Sequence, residues 1–234
     1  MPLKIFKQQL KKAGNKKTAE LLQWFFKTGK GEYGEGDKFL GIKVPKIREI
    51  AKKNKDLTFE EIQKALKSKF HEERLCALLI LVDRYSKSGE EIKEKITKFY
   101  LDNTKYINNW DLVDLTAPKI LGKHLLNRNR KILYKFTVSD NLWERRISVL
   151  ATFEFINKKQ FQDSLKIAKI LLNDEHDLIH KAVGWMLREI GKRNMETEEK
   201  FLKKHYKKMP RTMLRYAIEK FPEKKRLRYL EGNI

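Results

Sequence analysis

At 234 residues and 41% hydrophobic content, the chain can form one large domain or a continuous repeat array around a buried core, and a disordered polypeptide is excluded. Lys and Arg number 53 against 31 Asp and Glu, a formal net charge of +22 spread along the whole length, so the expected partner is a polyanion. The opening Met-Pro-Leu-Lys has no apolar signal core and no segment has the unbroken apolar length of a membrane span, which makes a soluble, intracellular protein the expectation and a membrane partner improbable.

In chain order, Ile5, Leu10, Leu21, Leu22 and Phe25 fall at helical spacing. Five of the eleven glycines then crowd between Gly29 and Gly41, which suggests a flexible connector there, with Tyr33 or Lys38 available to touch a ligand. No Gly-Lys-Ser/Thr ending follows, so a phosphate-binding P-loop is set aside. Cys76, the sole cysteine, lies in the apolar run Leu75 to Val82 and reads as a small buried hydrophobe. Ile92, Ile96 and Phe99 continue the helical period, and strand-type alternation is almost absent. Met209-Pro-Arg-Thr212 opens a closing helix through Met213, Ala217 and Phe221, whose start and Arg211 could hold a phosphate. The class is all-α.

A repeat underlies these helices. Arg74-Leu-Cys-Ala-Leu78, Asp111-Leu-Val-Asp-Leu115, Arg146-Ile-Ser-Val-Leu150 and Lys181-Ala-Val-Gly-Trp185 share a polar residue followed by apolar ones at the next and fourth positions, and they begin 37, 35 and 35 residues apart. That period suits a pair of helices per unit, somewhat shorter than the ~40 to 47 residues of HEAT and armadillo repeats. The expected fold is a curved superhelical array of HEAT-like helical hairpins forming a single domain over residues 1–234, with a concave face free to track an extended ligand. Such an array supplies its own interface, so a monomer is expected.

Asp114 breaks the rule the repeat obeys. Its counterparts Ala77, Val149 and Gly184 are small or apolar, and a carboxylate facing a polyanion weakens binding unless it acts on a positive charge. Trp110 lies one helical turn before it, on the same face. Two readings stand for the pair: Asp114 as a cap or ion-pair partner of a basic neighbour such as Arg146 with Trp110 in the core, or both as a site.

Four segments resemble the AlkD-type DNA glycosylases, HEAT-like repeat proteins that remove alkylated purines: Phe39-Leu-Gly-Ile42 followed by Pro45 and Arg48, Trp110-Asp-Leu-Val-Asp114, Trp143-Glu-Arg-Arg146, and Ala182-Val-Gly-Trp-Met-Leu-Arg-Glu189. Each is modest, and their order and separations make them jointly specific. The resemblance implies that Asp114 is the catalytic carboxylate, that Trp110 and Trp185 are the active-site tryptophans, and that Arg146 is the arginine beside them, with Arg145 as the alternative register. It also implies DNA-facing roles for Arg48 and Arg188, the latter open equally to an ion pair with Glu189 or another acid. Trp143 is assigned to packing. The stretch Glu32 to Lys38 departs from the family pattern, which leaves lesion preference open.

The implied activity is a monofunctional DNA glycosylase that hydrolyses the N-glycosidic bond of cationic N3- or N7-alkylated purines in duplex DNA, without enclosing the base. The alternative class is a non-catalytic helical-repeat module that binds DNA, RNA or an acidic protein. No cofactor and no metal are expected: His71, His124, His176, His180 and His205 form no His-Glu-x-x-His pattern, and the i, i+4 pair His176 and His180 reads as a solvated helix start. No lysine stands in an apolar setting that would mark a Schiff-base lyase. The runs Lys203 to Lys208, Lys52-Lys53 and Lys224 to Arg226 are most simply solvated helix faces.

Overall fold

The computed structural model describes residues 2–234, and it is helical throughout; among the described residues the β structure is limited to an isolated parallel bridge between Lys38 and Phe70. No helix among them is long and apolar enough to cross a membrane. The chain divides into two compact units, one ending at Thr116 and the other beginning at Ala117.

The first unit holds α1 (Pro2–Ala13), α2 (Lys16–Phe25), α3 (Val44–Lys53), α4 (Phe59–Leu66), α5 (His71–Lys87), α6 (Glu90–Asp102) and α7 (Trp110–Thr116). Its axis is α5, which packs against α1, α3, α4, α6 and α7. Surrounded in this way, α5 has no solvent side over its first turns, which is why Leu75 through Leu81 are all buried and apolar, Cys76 among them. Local signals start the neighbouring helices. Pro45 sits in the first turn of α3, and Thr58 with Glu61 forms a reciprocal capping box on α4.

The second unit opens with a π-helical turn, Pro118–Gly122, followed by α8 (Lys123–Leu125), α9 (Lys131–Thr137), α10 (Leu142–Asn157), α11 (Gln162–Ile170), α12 (Asp177–Gly191), α13 (Met195–His205), α14 (Arg211–Ala217) and α15 (Glu223–Glu231). Helices α10, α12 and α14 pack in series, and α9, α11 and α13 lie against them. Close approach at the α12–α14 contact requires a glycine: a Cβ on Gly184 would stand 2.4 Å from the Met213 carbonyl oxygen.

The sequence repeat therefore has a structural counterpart. Its four blocks fall in α5, α7, α10 and α12, the helices that stack on one another within each unit, and Ala77, Val149 and Gly184 are buried as the pattern demands. The fold is an all-α assembly of HEAT-like helical hairpins.

Two sequence patterns take forms that spacing and composition do not specify. The apolar residues of α2 do not all face inward: Ala19, Leu22 and Phe26 turn toward the core, while Leu21 and Phe25 are 62% and 55% exposed, and Ile5 on α1 is also exposed. Helix α2 is apolar on two faces, and the unit covers one. The glycine-rich stretch is likewise not a loose connector. Its backbone folds on itself through Gly34 N–H to Lys27 C=O and Asp37 N–H to Gly34 C=O, and its end is pinned by the Glu72 carboxylate, which accepts the backbone N–H groups of Leu40, Gly41 and Ile42 at 2.8, 2.8 and 3.1 Å. Gly41 has φ +83°, and a Cβ there would lie 2.0 Å from the Asn15 carbonyl oxygen, so only glycine permits this approach.

Candidate active site

Helix α7 is short, and its start is built by side chains. The Asn109 carboxamide oxygen accepts the Trp110 backbone N–H at 2.8 Å, and Asp111 accepts that of Leu112 at 2.8 Å, which satisfies donors the helix cannot satisfy itself. Val113 and Leu112 are buried, whereas Trp110 and Asp114, one turn apart on a different face, are half-buried. The Asp114 charge reaches the buried Tyr100, whose hydroxyl shares a hydrogen bond with Thr116 at 3.0 Å; burial pushes the Tyr100 phenol up and Asp114 adds to that push.

Trp110 belongs to an aromatic stack. Phe26 lies parallel to its indole, with ring centres 5.1 Å apart and planes at 14°, and Phe39 stacks on Phe26 at 5.0 Å. The exposed Phe25 meets Trp110 edge-on at 6.0 Å. Neither Phe25 nor Phe26 was expected here, although the Phe25-Phe26 pair closing α2 is an aromatic signal of the kind that marks a face.

Beneath the stack lies a buried charged cluster. His71 Nε2 is 2.8 Å from Asp111 and its Nδ1 is 3.3 Å from Asp37, while Arg74 pairs with Asp37 at 2.6 Å. All four residues are at most 6% exposed. Burial opposes the charge on Asp37, but His71 and Arg74 hold its carboxyl below the usual range. No single motif spans this cluster, because its members come from three separate segments.

The second unit carries the remaining expected residues. Trp185 is half-buried on α12, its indole N–H donating to Glu189 at 3.3 Å and its ring tilted on Phe153 at 6.1 Å. Glu189 is gripped in turn by Lys192 at 2.6 Å and Arg193 at 2.9 Å; burial raises its carboxyl, and these cations more than offset the effect and hold it low. Arg146 is 5% exposed and donates to the Leu178 carbonyl at the start of α12. Arg145, the alternative register, is engaged by Asp174 at 2.7 Å and by the carbonyls of Ser139 and Asp140. Arg188 forms an ion pair with Glu219, the acid partner that its second reading required. Trp143 is buried in the first turn of α10.

The two remaining expected arginines lie on α3 and α14. Arg48 is half-buried on α3, in a groove shared with Lys52 and with Leu79, Val82, Asp83 and Ser86 of α5. Those positions are 8 to 15 residues beyond His71, about 12–22 Å further along the helix. The exposed Arg211 side chain, in the first turn of the seven-residue α14, donates to the Leu230 carbonyl. His176 caps α12 by accepting the Leu178 N–H at 3.1 Å, and His180 bonds the Asp174 carbonyl, a capping arrangement at the helix start.

A helical-hairpin repeat protein with a half-buried indole and carboxylate one turn apart on one short helix is the class that fold and site define. The model of the DNA alkylation repair enzyme family matches residues 6–221, and the chain belongs to that family, with an AlkD-like organisation. A solved structure described as a predicted DNA alkylation repair enzyme from Enterococcus faecalis superposes with a TM-score of 0.69 at 18% identity, covering 90% of this chain and 97% of the other. A search of curated proteins found no significant match.

Proposed function

We propose that the protein is a monofunctional DNA glycosylase for purines that carry positive charge through alkylation at N3 or N7. The observation that carries this reading is the placement of Asp114 on α7, half-buried and one turn from a half-buried Trp110, in a chain of net charge +22.

The chemistry follows from charge. An alkylated purine leaves as a neutral base, the bond electrons going with it, and positive charge grows at C1′ of the sugar. A fixed carboxylate stabilises that charge more in the transition state than in the ground state, which is the condition for acceleration. Asp114 takes this role and orients the water, whose oxygen bonds to C1′ while its proton is released to solvent. The indole of Trp110 offers an electron-rich face to the cationic sugar or lesion, an attraction of about 0.5 to 2 kcal/mol. The proposal takes Trp185 as a second such face. Arg146 and Arg188 would bind backbone phosphates, Arg146 as a donor already fixed at Leu178 and Arg188 by exchanging Glu219 for phosphate. Arg48 and Arg211 are proposed as further backbone contacts. No step draws on a cofactor.

Incubation of the protein with N-methylated duplex DNA tests this reading. Free 7-methylguanine and 3-methyladenine should appear in equal number with abasic sites, with the strand uncut. Uncharged lesions should be poor substrates. Duplex binding with no release of base would instead assign the chain to the non-catalytic helical-repeat modules.

A further inference from the structure

The buried cluster under Trp110 has a geometry that goes beyond neutralising charge. Both ring nitrogens of His71 face carboxylate oxygens, Asp111 at 2.8 Å and Asp37 at 3.3 Å, and an ionised carboxylate only accepts. Both nitrogens must therefore donate, so the ring is an imidazolium. With Arg74 on Asp37 at 2.6 Å, two cations and two anions close the cluster without excess. The other acids of the same turn look elsewhere: Glu72 to the amides of Leu40 to Ile42, Glu73 to Lys7 at 3.1 Å.

Apart from the Arg74 bond to the Ser68 carbonyl, the cluster converges on the start of α7. Through its ring edge, His71 holds Asp111. Through Asp37 it reaches the Asn108 and Asn109 carboxamides, each at 3.4 Å, and Asn109 accepts the Trp110 N–H. Through its ring face, His71 stacks on Phe39 at 4.7 Å and meets Phe26 at 5.0 Å, and Phe26 lies parallel to the Trp110 indole. One side chain thus touches both determinants of where Trp110 points: the backbone seat of the helix and the stack under the indole. A seven-residue helix cannot hold its own geometry and takes it from such contacts.

We propose that His71 is a positioning residue: a buried imidazolium, clamped between Asp37 and Asp111, that seats α7 and thereby aims Trp110 and Asp114. The proposal rests on the functional reading of those two residues, and its first test needs no DNA. Burial pulls the imidazole toward neutrality, and Arg74 does the same, but Asp111 and Asp37 outweigh them and carry its pKa up to about 9.

The test is 19F NMR of the full chain labelled with fluorotryptophan, the Trp110 signal being assigned by Trp110→Phe. The wild-type Trp110 resonance should shift with a midpoint near 9, while that of the buried Trp143 stays in place. His71→Gln should abolish the transition, and Asp111→Asn should lower its midpoint by about one pH unit or more. His71→Gln should also slow single-turnover base release about tenfold with duplex affinity changed less than about twofold, because it misaims the site without touching phosphate. A Trp110 signal flat through the wild-type titration, or one that moves equally in His71→Gln, overturns the proposal. If His71→Gln does not fold, the wild-type titration and Asp111→Asn decide alone. Absence of base release from the wild type would defeat the glycosylase reading and leave the NMR outcome to judge the positioning.

Discussion

Trp110 and Trp185 are two half-buried indoles on helices of two different repeats, one in each unit, and they are anchored in opposite ways. The seat of Trp110 is a dry cluster of His71, Asp37, Arg74 and Asp111 beneath stacked rings. Trp185 instead donates its indole N–H to one carboxylate, Glu189, whose cations Lys192 and Arg193 keep side chains 41% and 25% exposed. The difference teaches how much each site tolerates. A buried, charge-balanced cluster fails sharply when one member is removed, whereas a partly solvated ion pair lets water replace a lost partner.

The largest expected effect sharpens that contrast directly. Arg74→Ala leaves Asp37 with one cation fewer in a dry site and should cost about 3 to 5 kcal/mol in urea unfolding. Glu189→Gln, on the other side of the comparison, should cost about 1 kcal/mol or less. Equal costs for the two variants would erase the distinction between the regions.

The two anchors should also fail at opposite ends of the pH scale. His71 has a folded pKa raised above its ordinary 6.5, so its stabilisation is complete below about 6.5 and is lost as pH rises through about 9. Glu189 has a folded pKa held below its ordinary 4.5, so its stabilisation is complete above that value and is lost as pH falls through the depressed one. Thermal unfolding of His71→Gln should therefore lose the alkaline limb of the wild-type profile and, because His71 also holds the Asp37 carboxyl low, part of the acid limb, whereas Glu189→Gln should weaken the acid limb alone.

What could be read in the sequence divides along the same line. The helices and their 35- to 37-residue period were legible because Leu75 to Leu81, Ile147 to Leu150 and Ala182 to Leu187 carry the packing in adjacent residues. Trp110 and Asp114 stood out because a carboxylate occupied a repeat position that is otherwise small or apolar. The His71 cluster escaped notice because Asp37, His71 and Asp111 are 34 and 40 residues apart, and each looks like ordinary surface polarity. One signal was present: His71-Glu-Glu-Arg74 runs directly into the unbroken apolar stretch Leu75 to Val82, so its charges had to find partners inside. Periodicity likewise could not show which face of α2 the fold would leave uncovered, since Leu21 and Leu22 are equally apolar.

A smaller effect is expected from Glu198, a buried acid of the second unit outside both anchors. Burial, with Glu199 adding repulsion, carries its carboxyl up to about 9; it packs so closely on Gly191 that a Cβ there would lie 1.7 Å from its Oε2, and its Oε1 is buried without a hydrogen-bond partner. The unfolded chain ionises near 4.5, so stability falls as pH rises from there toward 9. Glu198→Gln should stabilise by about 1 to 3 kcal/mol at pH 8 and by much less near pH 5, measured by thermal unfolding.

The most direct measurement is the single-turnover rate of 7-methylguanine release by wild type and Asp114→Asn on the same methylated duplex. Removing the charge and keeping the shape should slow the chemical step by at least about tenfold, or about 1.4 kcal/mol of transition-state stabilisation, with duplex affinity unchanged or improved. Equal rates for the two proteins would contradict a role for the Asp114 carboxylate in breaking the glycosidic bond.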